Sequence, residues 1–285
     1  MNNDKYLHIV KNCINNMPSL PIGINKIKDV CYDPKSSSVD IYKLIILDPV
    51  LIAKVIKLFN SLYYDASEKV VSLAKIIIIL GINTVKNLVI NSADINNVNK
   101  KDSLRQDNAG TFWHHSFCTA VTAKIFALKT GKEYNEAEEY FMAGMLHDIG
   151  KIPILACFPS QYKAIADNCK ESLLDTEEQV FGFNHCAVGK MIAKQWVLGG
   201  KMELVVSEHH GSKQTTESKY KEIINMVSVA DYFINKMGFG FFGAQAAPSD
   251  ALFKSTGITE DIFKDSEKTI LSELEKAKGF LCLKG

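Results

Sequence analysis

Three observations predict an all-α protein. Apolar residues recur at three- and four-residue spacings through most of the chain, no stretch of convincing length alternates apolar with polar residues, and the punctuation is that of helix ends. Taken in order, Asp33-Pro34 closes a first helix and Ile41–Leu47 forms the next. Asp48 then offers a cap, and Pro49 a pre-set first-turn residue, for Leu51–Leu62, while Asn60-Ser61 reads as cap or turn chemistry. Gly81 separates Leu73–Leu80 from Val85–Ile90. Segment 91–110 is rich in Asn and Asp, contains Gly110, and reads as a linker. It divides a helical unit of about residues 1–100 from a second of about 105–285. Helical periodicity returns in Phe117–Leu128, Ala137–Leu155 and Ile223–Ile234. Gly238 to Pro248 reads as a loop before a last amphipathic helix near Glu260–Lys276.

Composition narrows the function classes. The 285 residues are 47% hydrophobic and 23% charged, which suits a soluble globular chain. A net charge of +1 gives no bulk attraction to nucleic acid or membrane. Arg105 is the sole arginine, so bidentate reading of phosphate or guanine is scarcely provided for, and nucleic acid is an unlikely partner. The seven cysteines form no Cys-x-x-Cys pair and read as reduced core residues. The opening residues carry no signal-peptide pattern. The longest apolar stretch, Val70 to Ile82, is interrupted by Ser72 and Lys75 and is too short to span a bilayer. A cytoplasmic location with no membrane contact is the expectation.

The chemistry concentrates in the second unit, where six of the seven histidines lie between His114 and His210. His147-Asp148 stands in the apolar run Gly144-Met-Leu-His-Asp-Ile-Gly-Lys151, and neighbours on a helix diverge by about 100°. Both side chains can therefore approach one cavity. His115 begins an apolar helix, and His185 precedes another. His209-His210 form a pair, and Asp231 sits among apolar residues where an ionised carboxylate needs a partner. Imidazole and carboxylate together suit iron, manganese or zinc. His114 and His8 read as ordinary polar residues. Lys151 reads either as a cation for a phosphate or as a solvated lysine after a helix-ending Gly150.

The ordered series His115, His147-Asp148, His185, His209-His210, Asp231 resembles the HD superfamily of metal-dependent phosphohydrolases, and within it the HDOD family, the HD-related output domain. The likeness extends to Met17-Pro-Ser-Leu-Pro21, to the stretch from Asp48-Pro49 to Asn60-Ser61, and to Val71-Ser-Leu-Ala with Leu80-Gly81. Trp113, Glu178, Val188-Gly189 and Trp196 add to it. The resemblance implies an HD-type helical bundle carrying an additional N-terminal helical subdomain, which would form one wall of a cleft. It implies one ion on His115, His147, Asp148 and Asp231. A second would share Asp148 and take His185, His209 and His210. With one or two ions bound, Asp148 and Lys151 would be the catalytic residues of a phosphohydrolase acting on a nucleotide or cyclic dinucleotide. Two departures restrain that outcome. No Gly-Tyr-Pro follows His210, and Thr111 stands where a three-ion variant would carry a carboxylate. The HDOD likeness instead implies a signalling or regulatory module that binds a protein partner or a nucleotide-type ligand.

Overall fold

The computed structural model describes residues 2–15, 17, 24–62, 72–92, 103–168, 172–211, 219–241 and 247–281. Most of Met17-Pro-Ser-Leu-Pro21, Val71, Cys169 and Cys282 therefore lie outside the described residues. Among the described residues there is no strand, so the fold is all-α as predicted.

Helices α1 (Asn2–Asn15), α2 (Ile24–Tyr32), α3 (Ser38–Ile45), α4 (Pro49–Leu62), α5 (Leu73–Leu80) and α6 (Ile82–Ser92) make up the N-terminal part. Local chemistry sets their ends. Ser37 and Asp40 form a reciprocal capping box on α3. Asp48 accepts from the backbone of Val50 at 2.8 Å and Leu51 at 3.2 Å, which fixes the start of α4 with Pro49 in its first turn. Gly81 ends α5 at φ +80, a conformation that suits glycine alone. Asn60 lies inside the last turn of α4. It is buried, and its amide donates to the carbonyl of Val197 at 2.6 Å, where a β-branched residue is held at φ 54.

The expected linker is helix wherever its residues are described. Its first two residues belong to α6, residues 93–102 lie outside the described set, and α7 (Ser103–Lys129) runs straight through Gly110. A helical glycine costs about 1 kcal/mol relative to alanine. Burial of Phe112 and Trp113 just beyond it is worth more. Trp113 also donates its indole N–H to the Leu47 carbonyl at 2.9 Å, tying α7 to the α3–α4 corner.

The predicted helix Ala137–Leu155 divides into α8 (Tyr134–Leu146), a tight turn over residues 147–150, and α9 (Lys151–Cys157). Pro153 is the physical reason. Its ring would collide with the carbonyl four residues back if the helix continued. The backbone instead tightens into three-residue bonds from Ile149 to Leu146 and from Lys151 to Asp148. His147 and Asp148 therefore stand on a corner rather than within a helix.

Helices α10 (Pro159–Asn168), α11 (Leu173–Phe181), α12 (His185–Gln195), α13 (Gly200–Glu208) and α14 (Lys221–Ile234) follow. α14 runs on into a widened π-helical turn, Asn235–Phe239, which is kinked at Gly238 with φ 86 and ψ 9, so the chain departs from regular helix where the loop is expected to begin. A short helix, α15 (Asp250–Thr256), precedes the last, α16 (Glu260–Leu281). α7 is the spine of the assembly. It packs against α8, α14 and α16, and the approach to α8 is so close that a Cβ on Gly144 would lie 2.5 Å from Ala120 Cα. One contiguous apolar core runs from Val10 of α1 to Ala277 of α16. Among the described residues no single helix is long and apolar enough to cross a membrane. The bent pair α5–α6 has such a composition jointly, but its Leu73, Ile76, Ile77, Val85 and Val89 are buried in the core.

Candidate metal centre

Five elements converge on one buried point. His115 comes from the middle of α7, His147 and Asp148 from the turn after α8, and His185 from the first position of α12. His209 and His210 follow the end of α13, and Asp231 lies in α14. Asn184 caps α12 by accepting from Ala187, which places His185 at the helix mouth. All seven predicted residues are thus brought together, and only His210 is more than slightly exposed.

Backbone carbonyls determine which ring nitrogen faces inward. His115 Nδ1 lies 3.1 Å from the Phe239 carbonyl, His147 Nδ1 2.7 Å from that of Gly144, and His209 Nδ1 3.1 Å from that of Val205. A carbonyl only accepts, so each Nδ1 is the donor. His185 Nδ1 is held in the same way by the Glu177 carboxylate at 2.7 Å. The four Nε2 atoms consequently point at Asp148 and one another. His115 Nε2 is 3.3 Å from Asp148 Oδ2, 3.2 Å from Asp231 Oδ1 and 3.3 Å from His147 Nε2. On the other side, Asp148 Oδ1 is 3.3 Å from His185 Nε2 and 3.5 Å from His209 Nε2. His185 Nε2 also faces His210 Nε2 at 3.1 Å.

This donor set fits a metal. Asp148 Oδ1 and His209 Nε2 are fully buried without a hydrogen-bond partner, an expensive arrangement that a cation between them would relieve. The imidazoles of His115, His147, His185 and His209 each donate the outer nitrogen to an acceptor while the inner one converges, the arrangement that orients metal-ligating histidines. Two donor groups are distinguishable: His115, His147 and Asp148 on one side, and His185, Cys186, His209 and His210 on the other.

Comparison with known proteins identifies the family and the fold. The HDOD domain pattern matches residues 17–212, well over half of the chain. This chain belongs to the HDOD family. Its fold is shared with the MmoQ response regulator of Methylococcus capsulatus strain Bath, with a TM-score of 0.64 at 16% identity over 87% of this chain and 98% of that one. An HDOD domain protein of unknown function from Geobacter sulfurreducens aligns with a TM-score of 0.54 at 24% identity, over 97% and 98% of the two chains. A virulence factor of Campylobacter jejuni subsp. jejuni gives 0.56 at 16% identity, over 92% of each. An uncharacterized protein of Treponema pallidum (strain Nichols) is 24% identical over 226 residues, 78% of this chain. The alignment spans only 42% of that curated relative's length.

Within this HDOD chain two site residues escaped the sequence reading. Glu178, the acid singled out ahead of His185, is exposed and receives a bond from Asn184 at 3.2 Å. Its neighbour Glu177 is the buried one, accepting from both the backbone and Nδ1 of His185 at 2.8 and 2.7 Å. Tyr162 of α10, also buried, donates its hydroxyl to the other Glu177 oxygen. The signal for Glu177 was its place beside Leu173 and Phe181 on the buried face of α11. Lys151 is not the solvated lysine that one reading allowed. It is buried, and its ammonium donates to Asp148 Oδ2 at 2.7 Å and to the Phe241 carbonyl at 3.3 Å. His8 pairs with Asn12 on the surface, and His114 leans on Trp113, and neither is among the residues that converge on the centre.

Burial opposes a charge on His115, but Asp148 and Asp231 outweigh it and raise its pKa to about 9. His185, also opposed by burial, is carried by Glu177 to about 10. Burial lowers His209 to about 4 and, with His209 and His185 adjacent, His210 well below its ordinary value. Asp148 is held well below the carboxylate range, because Lys151 and His147 overcome the burial that would raise it. The metal-free fold should therefore respond to pH in two directions. Raised His115 and His185 contribute stability that is complete below the ordinary value of 6.5 and is lost as pH climbs through about 9 to 10. Depressed His209 contributes stability that is complete above 6.5 and is lost as pH falls through about 4. The urea midpoint of chelator-treated protein is expected to peak near pH 6.5 and fall on both sides. Metal-loaded protein should keep its midpoint to higher pH, since an ion then occupies the place of the Nε2 protons. Identical alkaline profiles with and without metal would contradict this.

Proposed function

We propose that this HDOD protein is a cytoplasmic signalling or regulatory module built around an HD-type metal centre, and that it acts by binding a nucleotide-type ligand or a protein partner. The observation that carries the reading is the convergence of four oriented Nε2 atoms on the two oxygens of Asp148. In this reading His115, His147, Asp148 and Asp231 hold one divalent transition-metal ion, whether iron, manganese or zinc. Asp148, His185, His209 and His210 hold a second. Such ions supply Lewis acidity and bind phosphate oxygens. Glu177 and Tyr162 keep His185 in its ligating tautomer.

Support for a binding role comes from the enclosure of the site. Six of the seven residues are nearly inaccessible, and the Lys151 ammonium already rests on the carboxylate both ions would share. The fold held in common with a response regulator is in keeping with a signalling role. The buried thiols of Cys31, Cys118 and Cys186, which form no disulfide among the described residues, fit a reducing compartment.

A second reading, a live phosphohydrolase on a nucleotide or cyclic dinucleotide, is favoured by one feature. Lys151 is a fixed, buried cation within 2.7 Å of Asp148, where it would meet a phosphoryl oxygen as a point charge. The two readings separate in one experiment. Protein purified without chelator is analysed for metal, then assayed on a chromogenic phosphodiester and on cyclic dinucleotides with added manganese or iron. We expect at least one ion per chain and no turnover above that of free metal. Metal-dependent turnover that Asp148→Asn abolishes would replace the binding reading with the enzyme. Protein that binds no ion would remove the metal centre from both.

A further inference from the structure

Cys186 follows His185 in the first turn of α12. Its Sγ and one ligand nitrogen each of His185, His209 and His210 all lie within 4.8 Å of one another. The thiol is buried, but unlike Cys31 and Cys118 it stands outside the contiguous apolar core. It is packed beside imidazoles instead. His209 Nε2 is fully buried there with no hydrogen-bond partner, and the Nε2 atoms of His185 and His210 face each other at 3.1 Å. Four donors thus line a pocket in which at least one lone pair is left unanswered.

We propose that Cys186 is itself a ligand, so that the second position is a three-imidazole, one-thiolate site selective for zinc or another thiophilic divalent ion. This rests on the metal-centre reading above and extends it by naming the donor that decides which ion is held. Three nitrogens and one sulfur are a zinc set, whereas manganese and magnesium favour oxygen. The first position, with two imidazoles and two carboxylates, is the harder of the two. Zinc bonds of about 2.0–2.1 Å to nitrogen and about 2.3 Å to sulfur put neighbouring tetrahedral donors roughly 3.3–3.6 Å apart. Here the His185 and His210 nitrogens lie 3.1 Å apart, and all four donors lie within 4.8 Å of one another, so loading would draw the wider pairs together. On loading, the thiol proton leaves to solvent as the sulfur–metal bond forms, and no electron is transferred. A fully protein-ligated ion of this kind is structural, since catalytic zinc keeps one position for water. The two halves of the centre would therefore differ in role as well as in metal.

The test uses the full chain, stripped with chelator and titrated with cobalt(II) as a spectroscopic substitute for zinc. Wild-type protein should develop a near-ultraviolet thiolate-to-cobalt charge-transfer band that zinc removes by displacement. Cys186→Ser should lose that band while still taking up cobalt at the first position. Zinc-edge absorption on the wild-type protein gives an independent reading should the variant fold poorly, with a sulfur shell near 2.3 Å expected. Cobalt uptake without a thiolate band, a band unchanged in Cys186→Ser, or a zinc shell of nitrogen and oxygen alone would overturn the assignment of Cys186 and leave the metal centre standing. No uptake of cobalt or zinc at all would overturn both.

Discussion

Asp148→Ala is expected to empty the first metal position, to weaken the second, and to destabilise the metal-free protein by about 3–5 kcal/mol. The two effects have different causes. Asp148 is the one residue that faces both donor groups, with Oδ2 toward His115 and His147 and Oδ1 toward His185 and His209. Deleting it leaves each group short of an anionic ligand. The stability loss comes from Lys151, whose ammonium is buried and donates its shortest bond to Asp148 Oδ2 at 2.7 Å. Without the carboxylate that charge keeps its hydrogen bond to the Phe241 carbonyl at 3.3 Å and the more distant pull of Asp231 and Glu177, and a buried cation so poorly compensated is costly. Adding Lys151→Met should recover most of the stability, because the double variant removes the stranded charge, yet it should recover no metal. Urea unfolding of the single and double variants, alongside metal content, makes the check. If the double variant is no more stable than Asp148→Ala, the ion pair is not what Asp148 contributes to the metal-free fold.

What the sequence made legible follows from which interactions are local. Helix ends written in caps and turns, such as Asp48-Pro49 and Gly81, stand where the chain announces them. The metal-site candidates were visible because histidine and aspartate among apolar residues demand a partner, and all seven meet. Long-range packing was not visible. Gly110 reads as a breaker, but the burial of Trp113 and its bond to Leu47 carry α7 through it. The run Ala137–Leu155 keeps helical periodicity across a corner, because a four-residue turn closely preserves the phase of the apolar positions while Pro153 forbids one continuous helix. Glu177 and Glu178 are chemically identical neighbours, and only the rotation of α11 about its axis decides which of them meets His185. Cys186, which reads as a core cysteine, is buried but stands outside the apolar core and within 4.8 Å of ligand atoms of three histidines, two of them remote in sequence.

Gly150 supplies the second large effect, for a reason its place in the sequence hides. As a residue ending a helical run it reads as a stop signal, yet its backbone is right-handed helical, with φ −66 and ψ −21, so any residue is conformationally permitted there. What forbids a side chain is the approach of α12. A Cβ on Gly150 would stand 2.0 Å from the His185 carbonyl oxygen and 2.6 Å from the Gly189 backbone nitrogen. Both obstacles are main chain, so neither is cleared by turning a rotamer. Gly150→Ala must therefore push the 147–150 turn and the first turn of α12 apart. That gap is the one the second ion would bridge, across which Asp148 Oδ1 and His185 Nε2 now lie at 3.3 Å. The expected result is a stability loss at or beyond the upper end of the roughly 1–3 kcal/mol usual for overpacking. It should come with loss of the ion on the His185, His209 and His210 side and retention of the one on His115, His147 and Asp231. Gly200→Ala is the matching control. A Cβ there meets nothing within 4 Å, and the residue lies in the first turn of α13, so alanine should leave the urea midpoint unchanged or raise it. Equal midpoints and equal metal content for the two variants would mean that the contact between the turn and α12 does not set the spacing of the centre.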